Sequence, residues 1–121
     1  MPAGAYRYDA ATHALHLVAA SDLRRVTGYQ DFVDDAPVDL IFVANSERMA
    51  LMPADQRVFF ASVSAGAIAQ NVYLFCASIG LSTVIRAWLD RKAVAAALGL
   101  NPDHQVLLSQ TVGFPADTTK E

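Results

Sequence analysis

The sequence predicts an α+β domain, and three observations carry that expectation. Residues 58–85 hold no charged side chain; a proline and an acid precede them and Gly80 offers a helix stop within them, which together read as one long helix. Three runs, "VDLIFVAN", "STVIRAWL" and "QVLLSQTVGFP", are rich in β-branched and apolar residues and read as strands. "AYRYDAATHALHLVA" alternates apolar and polar residues around a polar turn and reads as a hairpin. At 121 residues these elements belong to one domain, 1–121.

In chain order, Tyr6 and Tyr8 alternate with Arg7, "DAAT" turns the chain, and Leu15 and Leu17 flank His16. "SDLRRVTG" predicts a short helix capped by Ser21 and stopped by Gly28. Asp34-Asp35 reads as a loop before the central strand "VDLIFVAN", and "SERMALM" as a helical turn capped by Ser46. Pro53 opens the long helix, predicted over 54–79, with Asp55 at its positive end. "STVIRAWL" follows as a strand. "DRKAVAAALG" then predicts a helix with Asp90 as N-cap, Val94 and Leu98 inward and Gly99 as its stop. "NPDH" turns into the last strand, and "ADTTKE" forms a polar tail.

The chain is 54 % hydrophobic and 17 % charged, against about 25 % charged in an average soluble domain. So apolar a chain must hide surface in lipid or against a partner. A net charge of −3 and a pI near 5.5 exclude nucleic acid as the main partner, because phosphate binding needs a basic face. Cys76 is the single cysteine, which rules out an intramolecular disulfide and fits a cytoplasmic protein. "MPAGAYRYDA" lacks the basic and apolar regions of a signal peptide.

The apolar run is long enough to span a bilayer. Against that stand Gln70 and Asn71 at its centre, five hydroxyl residues from Ser62 to Thr83, and no flanking basic bias or aromatic belt. The expectation is a soluble protein with no membrane segment. On a helical wheel Ile68, Val72, Phe75, Cys76 and Ile79 share a face. Ala61, Ala65 and Ala69 recur every four residues, a pattern that admits a second helix at close range. A helix of about 39 Å is hard to surround in so small a chain. A two-fold dimer sharing the helix would bury it, with Gln70 and Asn71 as buried amides that fix register or touch a ligand.

Catalytic signatures are missing. His13, His16 and His104 lie apart from Cys76 and from any carboxylate cluster, so no metal site is expected. There is no nucleophile elbow, no phosphate-binding glycine loop and no dinucleotide fingerprint. Adjacent Asp34 and Asp35 diverge and make a poor acid–base pair. A chain whose side chains advertise no chemistry fits an enzyme whose cofactor performs the difficult step.

One stretch adds a resemblance. "AGAIAQNVYLFCASIGLSTVIRAWLDRKAVAAALGLNPDHQVLLSQTVGFP" resembles the C-terminal half of the nitroreductase superfamily of flavin enzymes. The likeness rests on small residues leading into Gln70-Asn71, then Leu74, Gly80-Leu81, Asp90, Leu98-Gly99-Leu100 and Val112-Gly113-Phe114-Pro115. The earlier segment, from "GAYRYDAATHALHLVAASDLR" to "VDLIFVAN", is similar to the middle of the branch related to azoline-oxidising dehydrogenases. The resemblance implies a mixed or antiparallel sheet flanked by helices, with the long helix buried at a homodimer interface. It implies FMN at that interface, NAD(P)H as electron donor, and hydride transfer to a nitroaromatic, quinone or azoline-type acceptor.

Carried over by position, "VIRAW" matches the segment whose backbone lies along the flavin ring, which assigns Ile85, Arg86, Ala87 and Trp88 to cofactor binding. Arg86 is a lone cation after the uncharged run, so it needs a solvent outlet or an anionic partner: a flavin phosphate, the ring edge or a surface carboxylate. Three departures stand out. The family's Arg- and Ser-containing phosphate grip has no counterpart, so the N-terminal third to half of the domain is expected to be missing. Many members have glycine where Trp88 stands, and of the basic residues that follow the last strand only Lys120 is present. The alternative expectation is therefore a non-catalytic dimer core that binds flavin weakly or not at all.

Overall fold

The computed structural model of the protein describes residues 1–116. Its elements are β1 (Ala5–Asp9), β2 (Ala14–Ala19), β3 (Val38–Asn45), α1 (Ala54–Ile79), β4 (Ser82–Arg86), α2 (Arg91–Leu98) and β5 (His104–Gly113). Short 3₁₀ turns occupy Arg24–Thr27, Asp31–Asp34 and Ser46–Met49. The fold is α+β with antiparallel strands throughout: β1 pairs β2 as a separate hairpin, and the main sheet has the order β3-β5-β4.

Local chemistry explains the boundaries. No proline interrupts α1 between Ala54 and Ile79, and Gly80 ends it in the left-handed region at φ 77°, its amide bonding back to Cys76. Gly99 ends α2 in the same way at φ 66°, while the Asp90 carboxylate caps the other end by accepting the Ala93 amide. A few caps differ from expectation. Asn45, not Ser46, holds the 3₁₀ turn Ser46–Met49, because its side-chain oxygen reaches the Glu47 amide. Ser21 caps nothing; Asp22 accepts the Arg24 amide instead. Asp34 ends a 3₁₀ turn rather than sitting in open loop.

The main sheet has two covered faces. On one, α1 lays Ala65 and Ala61 against Ala44, Leu107 and Phe42. On the other, Val94 and Leu98 of α2 meet Val106, Ile41, Val43 and Leu89. The small-residue stripe therefore faces the chain's own sheet, where short side chains let the helix backbone approach the strands. Of the expected apolar wheel face only Cys76 is buried and Val72 half-buried; Ile68, Phe75 and Ile79 are exposed. Within this chain the long helix is thus only edge-buried. Its outer side presents Phe59 (67 % exposed), Leu74 (61 %) and Phe75 (61 %). Gln70 and Asn71 are exposed there too. By length and composition α1 could also cross a membrane.

Candidate functional site

Gly80 reverses the chain and sends β4 along the outer edge of the sheet, so the residues after its last ladder pair, Arg86↔Ser109, leave the sheet at an open edge. Strand alternation decides what each does. The Ile85 amide points away from β5 and donates to the Tyr73 hydroxyl of α1 at 2.7 Å. Arg86 points to the opposite side, beneath the 3₁₀ turn Arg24–Thr27. Ala87 and Trp88 lie beyond the ladder, and their amides find no partner among the described residues. The Ala87 carbonyl is fixed by the Leu89 amide at 3.1 Å and by the Arg91 guanidinium at 3.1 Å.

Arg86 is not a surface group. Its side chain and that of Asp39 are each 2 % exposed, with 3.6 Å between the nearest charged atoms. The guanidinium donates from Nε to the Thr111 hydroxyl at 2.7 Å and from Nη1 to the Thr27 carbonyl at 2.8 Å. Nη2 donates to the hydroxyls of Ser109 and Thr27. Thr111 in turn donates to Asp39 Oδ1 at 2.7 Å, while Asp39 Oδ2 has no hydrogen-bond partner among the described residues. The Phe32 ring lies 5.9 Å from the guanidinium carbon. Burial pushes the Asp39 carboxyl above the ordinary range, with Thr111 and Arg86 pulling against it. The same burial lowers Arg86, and Asp39 opposes that.

The assigned residues thus divide. The Arg86 guanidinium closes on Asp39 inside the chain, neither on a surface carboxylate nor free for a flavin phosphate. Ile85 is half-buried, Ala87 is exposed, and Trp88 is 64 % exposed with its ring 5.2 Å from that of Tyr29. Lys120 lies outside the described residues. A groove of about 450 Å³ runs along the start of β4, bounded by Phe32, Ala36, Val84, Thr111 and Phe114. It shares Thr111 with the Arg86 network but none of the residues 85–88. Sequence reasoning missed Asp39, Thr27, Ser109, Thr111 and Tyr29. The available signal was a carboxylate inside an apolar strand and hydroxyls two apart in β5. Among the described residues no His, Cys, Asp and Glu cluster could hold a metal.

The layered α+β domain thus leaves one side of its longest helix uncovered and the backbone of residues 87 and 88 open at a sheet edge. The sequence model of the Nitroreductase family matches residues 4–114, and the chain belongs to that family. It is 33 % identical over 94 residues to MJ1384 of Methanocaldococcus jannaschii, provisionally designated a nitroreductase, covering 74 % of this chain and 48 % of that protein. The crystal structure of a provisionally designated nitroreductase of Ralstonia eutropha is 53 % identical with a TM-score of 0.88, over 97 % of this chain and 56 % of that one. The NADPH:FMN oxidoreductase of Vibrio harveyi, solved with NAD+, is 28 % identical with a TM-score of 0.66, over 78 % of this chain and 45 % of that one. The chain therefore spans about half the length of these relatives. The Escherichia coli microcin synthetase complex, at 23 % identity and a TM-score of 0.81, shares the fold.

Proposed function

We propose that the protein is an FMN-dependent oxidoreductase that takes hydride from NAD(P)H and passes it to a nitroaromatic, quinone or azoline-type acceptor. The observation that carries this reading is the pair of unpartnered amides, Ala87 and Trp88, at the end of edge strand β4, on the segment the family resemblance assigns to the flavin ring. The residues fit the group: two N–H donors suit the polar edge of an isoalloxazine, and the exposed Trp88 ring suits its flat apolar part. FMN supplies, when bound, a two-electron carrier that no side chain here provides. The chain's own share is to hold the ring edge on fixed backbone, since the Ala87 carbonyl is already anchored by Leu89 and Arg91.

The same reading takes the protein as a cytoplasmic homodimer. Pairing through α1 would cover Phe59, Leu74 and Phe75 and bring Gln70 and Asn71 against a second copy, which supports burial in protein over lipid. The test is thermal unfolding of the purified protein with and without FMN. At a hundredfold excess over Kd, binding to the folded state alone adds about 2.7 kcal/mol, roughly 10 °C in Tm for a domain of this size. A Tm indifferent to FMN removes the proposal for this chain and leaves the non-catalytic dimer.

A further inference from the structure

The buried cation and the exposed aromatic pair are ends of one closed circuit. Arg86 and Trp88 stand two residues apart where β4 leaves the sheet. Thr27 and Tyr29 stand two residues apart where the 3₁₀ turn Arg24–Thr27 ends. Arg86 joins the two segments at one corner, through the Thr27 carbonyl at 2.8 Å. The Tyr29 and Trp88 rings join them at the other, with centroids 5.2 Å apart and planes inclined at 44°. Gly28 lies between: a Cβ there would come within 2.1 Å of Arg86 Nη1, so the guanidinium occupies the space that any other residue's side chain would need. The Gly28 backbone is extended (φ 176°), a shape any residue adopts, so only the close approach of Arg86 favours glycine, and a side chain there must move the guanidinium.

Neither ring has another aromatic neighbour among the described residues, and both are more than half exposed, Tyr29 at 55 % and Trp88 at 64 %. Their own contact is modest, of the size an offset aromatic pair gives. Beneath them lies the buried corner around Arg86. There the guanidinium is held by Thr111, Ser109 and Thr27 and is balanced by buried Asp39.

We propose that Arg86 is a positioning residue: through Thr27 and Gly28 it holds Tyr29 against Trp88, and the pair forms a fixed aromatic wall beside the open amides of Ala87 and Trp88. Placing that wall at a flavin rests on the reading above; the lock itself does not. It assigns Tyr29 to the site, and it explains how Arg86 bears on that site without reaching it.

Trp88 is the only tryptophan of the chain, so its emission reports this corner directly. The full chain is compared with Arg86→Lys, which keeps the charge and loses the fork, and with Gly28→Ala, which keeps Arg86 and displaces it. Tyr29→Ala serves as the reference for a released indole, and Tyr29→Phe as the conservative variant that preserves the ring. Far-ultraviolet circular dichroism and melting establish that each variant folds. The expected result is that Arg86→Lys and Gly28→Ala shift Trp88 emission to longer wavelength and raise its quenching by acrylamide, as Tyr29→Ala does, while Tyr29→Phe stays at wild type. If either of the two folds and leaves both readouts at wild-type values, the proposal is overturned, because a merely structural Arg86 would not touch the indole. Titration with FMN separates the two readings. Released-indole spectra in the variants, together with no response of the wild type to FMN, would support the lock and remove the flavin assignment.

Discussion

Removing the charge of Asp39 while leaving Arg86 in place exposes the energetics of the buried pair. At 3.6 Å, and with the effective dielectric of about 20 that suits such sites, the direct attraction is about 5 kcal/mol. Breaking a buried pair on one side costs about 3–5 kcal/mol, because the surviving charge is stranded. Asp39→Asn keeps the shape and an oxygen for the Thr111 hydroxyl, so its loss isolates the charge. Urea unfolding measures it: with a slope of about 2 kcal/mol per molar, the midpoint falls by roughly 2 M. Arg86→Met alone should cost a similar amount, since it strands the Asp39 carboxylate. The double variant Asp39→Leu with Arg86→Met removes both charges and should lie within about 1–2 kcal/mol of wild type, much closer than either single change. If Asp39→Asn moves the midpoint by less than about 0.5 M, or if the double variant is as damaged as the sum of its parts, the argument that each charge is held by the other fails.

Other expectations are independent of that pair. Gly80→Ala puts a Cβ on a left-handed residue (φ 77°) and should cost about 1 kcal/mol, roughly 4 °C in Tm, read by calorimetry. Asp90→Ala removes the cap on the Ala93 amide and should cost about 1 kcal/mol by the same measurement. Finally, Phe75→Glu on the outer side of α1 should shift sedimentation from dimer toward monomer without loss of helix content, whereas an unchanged dimer would move the interface elsewhere.

Much of the architecture was legible because it is local. The ends of α1 are written in Pro53 and Gly80, and those of α2 in Asp90 and Gly99, each acting within a turn of its own position. The orientation of α1 was not legible. Ala61, Ala65 and Ala69 would admit a second helix or a sheet equally well, and only the strands Ala44 and Leu107 belong to settle which. Nor could Arg86 be paired in advance. Its partners at positions 27, 39, 109 and 111 come from three separate segments, and nothing in spacing ties them together. The strand reading of "STVIRAWL" ran long for a related reason: Trp88 favours a strand, but the ladder ends at Arg86↔Ser109 and the Arg91 side chain takes the β5 carbonyl of Leu107 (3.0 Å).

The most direct measurement of the central claim is the emission of Trp88 as FMN is titrated into the purified protein, since a flavin held at the end of β4 would lie beside that indole and absorb where it emits. The account predicts saturable quenching that reaches a plateau at one flavin per chain. Emission that stays constant to a large excess of FMN would contradict it.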